Sequence, residues 1–184
     1  MNDKTPRTSI THPLIINTVQ VSNGELGLTF CPGKKQAAAM TGVWDRDMEL
    51  DLITIEEWGA TSVISLLEPF EYQELEVPNL PEEFARRFHW LNLPIPDQQA
   101  PDNAWTEHWE TIRTDIKNGL NRGEKFLIHC KGGFGRTGTI AAMILMDHGY
   151  GWQEAITECR KSRELAVETR VQEEYLKDYR PLLC

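Results

Sequence analysis

Residues 129–138 read HCKGGFGRTG. They follow KFLIH, an apolar run that fits a buried strand, and precede TIAAMILM, whose pattern fits a helix. A cysteine therefore stands where a strand ends and an arginine where a helix begins. Five residues separate Cys130 from Arg136, and Gly132, Gly133 and Gly135 are three of them. Glycines let successive backbone N–H groups turn inward as an anion-binding nest, and the positive end of the next helix adds to it. Lys131, Gly132, Gly133, Phe134 and Gly135 would then cradle a tetrahedral dianion, closed by the guanidinium fork of Arg136. The same field favours a thiolate at Cys130, a nucleophile able to attack phosphorus. The competing reading of Cys130 is an inert buried hydrophobe, which leaves the glycines and Arg136 unexplained. The nucleotide-loop pattern GxxxxGK[ST] is not found there.

An alkoxide or phenoxide leaving group also needs a proton. The candidate donor is Asp97, in LPIPDQQAPD, a proline-bounded loop after a predicted strand and 33 residues before Cys130. Asp102 is its rival, with the alternative reading of a cap on the helix that starts near Ala104.

The run His129, Cys130, Gly133, Arg136, Thr137 resembles the HCxxGxxR-[ST] signature of the protein tyrosine phosphatase superfamily. The resemblance implies a cysteine-dependent phosphatase working through a cysteinyl-phosphate intermediate, without metal or cofactor. It implies that Thr137 donates to the sulfur and that His129 supports the loop. The "PI-x-D" context of Asp97 is similar to the acid loop of the dual-specificity branch. AVETRVQEEY resembles the segment that positions water, which implies that role for Gln172, with Glu168 where some relatives carry glutamine. Both also read as a solvated helix face. Lys131 matches a phosphoinositide-directed variant, but Phe134 replaces that variant's second lysine; a solvated rim charge is its other reading. Over residues 26–180 the FCPGKK turn, GATSVISLLE and YQELEVPNL are similar to the kinase-associated phosphatase subfamily and its microbial relatives. The implied substrate is a phosphoprotein, with a protein kinase as a candidate partner. A phosphate-binding interaction module, or a phosphatase of inositol phosphates or RNA 5′-phosphates, stays open as an alternative.

Positioning this site requires a sheet. LIINTVQV and LGLTFCPG read as an edge hairpin, TSVISLL as a strand covered on both faces, and HWLNLPIP as a further strand. Helices are expected from Asp45 or Asp47 to Trp58, over PEEFARRF, over 104–121, and over 137–148, 152–162 and 169–179. This order predicts one α/β domain over 13–184, a mostly parallel twisted sheet with helices on both faces, after a flexible tail over 1–12. The 184 residues suit a single core. Nineteen basic against 28 acidic side chains give a charge of -9, which disfavours nucleic acid and anionic membrane as partners. No apolar run is long enough for a membrane span and the N-terminus lacks a secretion-signal core, so a cytoplasmic monomer is expected. Cys31, Cys159 and Cys184 read as ordinary thiols, and Trp44, Trp90, Trp105, Trp109 and Trp152 as packing residues.

Overall fold

The computed structural model describes residues 5–182; Cys184 lies outside the described residues. The main sheet has five strands: β1 (Asn17–Val21), β2 (Gly24–Phe30), β5 (Ser62–Ser65), β6 (His89–Asn92) and β7 (Lys125–Cys130), in the order β1-β2-β7-β5-β6. β1 and β2 pair antiparallel, and every other pairing is parallel. The expected edge hairpin and parallel core are both present.

β7 sits at the centre because its residues are apolar on both sides. Phe126 and Ile128 point into the cluster formed with α4 (Asn103–Asn121), α5 (Gly135–Asp147), α6 (Trp152–Ser162) and α7 (Arg170–Asp178). Leu127 points the other way, into the cluster under α1 (Met48–Trp58), α2 (Pro69–Glu74) and α3 (Leu80–Arg87). Truncating Leu127 or Ile128 to alanine would cost about 2–5 kcal/mol, because both are fully buried. The central strand thus delivers its last residue, Cys130, to the carboxyl edge of the sheet, where open α/β folds place ligands.

Three features depart from the sequence reading. First, Lys35–Ala39 (β3) and Gly42–Asp45 (β4) form a separate two-stranded hairpin. Asp45 therefore belongs to a strand, and Asp47 caps α1 by accepting from the Leu50 N–H at 3.0 Å. Second, the six residues of α2 form a helix, capped by reciprocal bonds between Glu68 and Glu71. Third, the expected free tail is tied down over its described part: Arg7 N–H donates to Val43 O at 2.8 Å and Asp45 N–H to Arg7 O at 3.2 Å. The cause is an open edge of β4, whose backbone groups need partners.

Of the tryptophans, Trp44, Trp105 and Trp109 are buried, and Trp90 and Trp152 pack half-buried against the two clusters. Among the described residues no helix is long and apolar enough to cross a membrane.

Candidate active site

The loop between β7 and α5 has the predicted form. Cys130 is buried, and the Gly133 N–H donates to its Sγ at 3.2 Å. Gly133 has φ +73°, a left-handed conformation, and a Cβ there would collide with the backbone of Thr29 and Phe30. Only glycine fits. α5 begins at Gly135, so its free N-terminal amides and dipole face the loop.

Arg136 lies in the first turn of α5 and is 1% exposed. Its Nη1 and Nη2 fork onto Glu71 at 2.6 and 2.9 Å, and Nη1 also donates to Ile95 O at 2.9 Å. Burial works against the guanidinium charge, but Glu71 foremost, then Cys130 and Asp97, outweigh it and hold the group protonated. The second edge of the fork is Nε and Nη2. Nε has no partner among the described residues, and Nη2 forms an ion pair with Asp97 Oδ1 at 3.0 Å. Nε and Nη2 are parallel donors, the geometry that two oxygens of a tetrahedral anion accept once Asp97 withdraws.

Asp97 is the half-exposed partner in that pair, at 53% side-chain exposure, which leaves it room to move. Asp102 is occupied elsewhere: its carboxylate accepts from the Trp105 N–H at 2.8 Å and caps α4. The two aspartates of the loop are therefore distinguished by geometry.

His129 is fully buried, and its Nε2 lies 2.7 Å from Ser65 Oγ, which also accepts from Trp90 Nε1 at 2.9 Å. Burial pushes the imidazole down to about 3, so it is neutral at physiological pH. The Thr137 hydroxyl is buried, with no hydrogen-bond partner among the described residues. Gln172 is not on a solvated face. It is fully buried, its Oε1 accepts from the Glu168 and Thr169 N–H groups, and its Nε2 donates to Gln99 O at 3.2 Å. A Cβ on Gly135 would meet that Nε2 at 2.8 Å, so Gln172 lies against the loop. Glu168 is exposed and lines, with Asp97, Gly132 and Phe134, a cleft of about 290 Å³ beside the loop. Lys131 lines this cleft too, and its Nζ pairs with exposed Glu74 at 3.0 Å.

This arrangement agrees with what the chain is similar to. Residues 38–181 match the family described as Swiss Army Knife protein, DSP-PTPase phosphatase domain. Cyclin-dependent kinase inhibitor 3 of Mus musculus is 32% identical over 164 residues, covering 86% of this chain and 73% of that protein. The chain belongs to the dual-specificity phosphatase family. Among solved structures, kinase associated phosphatase with a serine at its catalytic-site cysteine is 25% identical with a TM-score of 0.77, covering 95% of this chain and 94% of that one. Tk-PTP in the active form is 31% identical with a TM-score of 0.63, covering 87% of this chain and 94% of that one. The protein is thus a cysteine-dependent protein phosphatase.

The phosphatase site also contains residues that the sequence reading did not single out. Glu71 holds Arg136 from 65 positions away. Arg163 donates from Nη2 to Gly132 O at 2.8 Å and from Nε to Gly133 O, and its guanidinium lies 4.3 Å from the centre of the Phe134 ring. Lys34, from the turn after β2, donates to Lys131 O at 3.2 Å. The FCPGKK turn was the only local signal for Lys34, while Glu71 is the third residue of α2, counting Pro69 as the first, where a capping pattern could be read. Cys31 and Cys159 are buried and burial pushes both thiols up, Cys159 to about 12, consistent with ordinary thiols.

Proposed function

We propose that Cys130 is the nucleophile of a phosphoprotein phosphatase acting on phosphotyrosine and on phosphoserine or phosphothreonine. The Cys130 thiolate attacks phosphorus, forming the S–P bond as the ester O–P bond breaks. The Asp97 carboxyl, displaced from Arg136 by the phosphoryl group and in its protonated form, gives its proton to the departing oxygen. Water, positioned by Gln172, then attacks the cysteinyl phosphate; its proton passes to Asp97, the S–P bond breaks, and Thr137 donates to the departing sulfur. The loop amides and Arg136 carry the charge on the three phosphoryl oxygens throughout, which is where phosphoryl transfer needs it.

The observation that carries this reading is the ion pair of Asp97 with the half-open fork of Arg136, 3.0 Å away. It brings an acid from one loop to the anion cradle of another. The substrate class is supported by the names of two similar proteins, a cyclin-dependent kinase inhibitor and a kinase associated phosphatase, so a phosphorylated protein kinase is the partner we propose. The test is hydrolysis of a panel of phosphotyrosyl and phosphothreonyl peptides, a phosphorylated kinase, inositol phosphates and 5′-phosphorylated RNA, with Cys130→Ser as control. Turnover confined to the last two substrates would overturn the phosphoprotein reading.

A further inference from the structure

Three successive carbonyls of the loop point outward onto cations. Lys34 Nζ donates to Lys131 O, and Arg163 donates to Gly132 O and Gly133 O. Fixing the carbonyls outward fixes the neighbouring amides inward, toward the anion. Arg163 completes its contacts with Asn17 Oδ1 at 2.8 Å and the Phe134 ring.

Lys34 is in a less satisfied position. It is 3% exposed, and its other acceptor is Gln36 Oε1 at 3.3 Å. The rings of Phe30 and Trp44 flank its Nζ at 5.1 and 5.2 Å. Arg46 lies on the same two rings, but Arg46 is matched by two 2.7 Å bonds to Asp51. Lys34 has no carboxylate partner among the described residues, and a buried ammonium without a counter-charge is costly. It nevertheless lines the cleft beside the loop, with Asp97, Gly132, Phe134 and Glu168.

We propose that Lys34 is a positioning residue of the phosphate cradle and that the dianion brought by the substrate is the counter-charge its ammonium lacks. The inference rests on the loop of Cys130 being the phosphate site. Burial lowers the Lys34 ammonium from 10.5 to about 8, Cys31 and Cys130 act to raise it, and Arg163 and Arg46 act to lower it. Lys131, Asp97 and Glu168 share its cleft. A bound dianion favours the charged form, so above about pH 8 binding must take up a proton, and affinity falls as pH rises.

The experiment uses tungstate, a dianion throughout this window, titrated by calorimetry into Cys130→Ser protein, so that no thiol at the site contributes to the readout. Adding Lys34→Met should weaken tungstate binding at pH 7 by at least about tenfold, the scale of one charged contact, and abolish the decline above pH 8. Lys34→Arg should keep the affinity and hold it constant to higher pH. Unliganded Lys34→Met protein should melt no lower than its parent, since it has lost an unpaired buried charge, whereas a merely structural lysine would lower the melting point. Unchanged tungstate affinity in Lys34→Met, or a pH dependence that survives it, overturns the role of Lys34. Failure of the Cys130→Ser parent itself to bind tungstate overturns the cradle, and Lys34 with it.

Discussion

Asp97 and Glu71 approach the guanidinium of Arg136 from two sides, Glu71 in a two-bond fork and Asp97 through one 3.0 Å ion pair. Glu71 is 1% exposed and fixed, while Asp97 is half exposed. The asymmetry separates a buried support from an accessible group. A phosphoryl group filling the second fork edge would take the place of the Asp97 oxygen and leave that carboxyl facing the leaving group.

Asp97→Asn should therefore slow cleavage of a phosphotyrosyl or phosphoseryl peptide by about 10²–10⁴-fold, the usual contribution of a general acid. A nitrophenyl ester, whose leaving group departs without a proton, should be slowed much less. Asp102→Asn tests the assignment from the other side. Its amide oxygen can still cap α4, so stability should stay close to that of the unsubstituted enzyme, and there should be no dependence on the leaving group; Asp102→Ala, which does remove the cap, should cost about 0.5–2 kcal/mol.

Glu71→Gln removes one partner of a buried ion pair and leaves the other uncompensated. The expected loss of stability is about 3–5 kcal/mol, read by denaturant unfolding. Catalytic efficiency should fall as well, because Arg136 loses the support that aims its open edge. Full activity with normal stability would contradict the supporting role.

Arg136→Lys should be nearly as inactive as Arg136→Ala. An ammonium cannot span a carboxylate on one edge and two phosphoryl oxygens on the other. Steady-state kinetics on the two variants side by side decides this.

His129 should stay neutral across the working range of the enzyme. Its folded value near 3 lies below the ordinary 6.5, so between these limits the unfolded chain binds more protons than the folded one. The stability this provides is complete above about pH 6.5 and is lost as pH falls toward 3. NMR should show no titration of the His129 ring between pH 5 and 8, and His129→Gln should flatten part of the acid slope of stability.

The cradle could be read from the sequence because its parts are contiguous: one strand end, three glycines and one helix start fix both the local conformation and the chemistry. Even so, Gly133 to Gly138 also spell the G-x-G-x-x-G spacing of dinucleotide loops. The cysteine before them and Arg136 within them set the stretch apart. The PIPD context already points to Asp97 over Asp102, and the coordinates add two contacts that the sequence does not show, the Arg136 ion pair of the one and the Trp105 amide on the other. Glu71, Arg163 and Lys34 reach the loop from distant parts of the chain, and no local pattern announces a contact across 65 or 97 positions. The β3–β4 hairpin was hidden by composition, because KQAAAMTG offers alanine and methionine, which favour helix, in place of an alternating β-branched pattern. Its cross-strand partners, including Trp44 opposite Gln36, override that propensity.

The central claim is covalent catalysis at Cys130, and a phosphoenzyme trap tests it most directly. A phosphorus-labelled phosphotyrosyl peptide is mixed with enzyme, quenched in acid within the first turnover and digested for mass spectrometry. The label should sit on Cys130 as a thiophosphate ester, and Cys130→Ser should carry none while losing turnover by orders of magnitude. Label on another residue, or turnover by Cys130→Ser within about tenfold of the unsubstituted enzyme, would contradict the assignment.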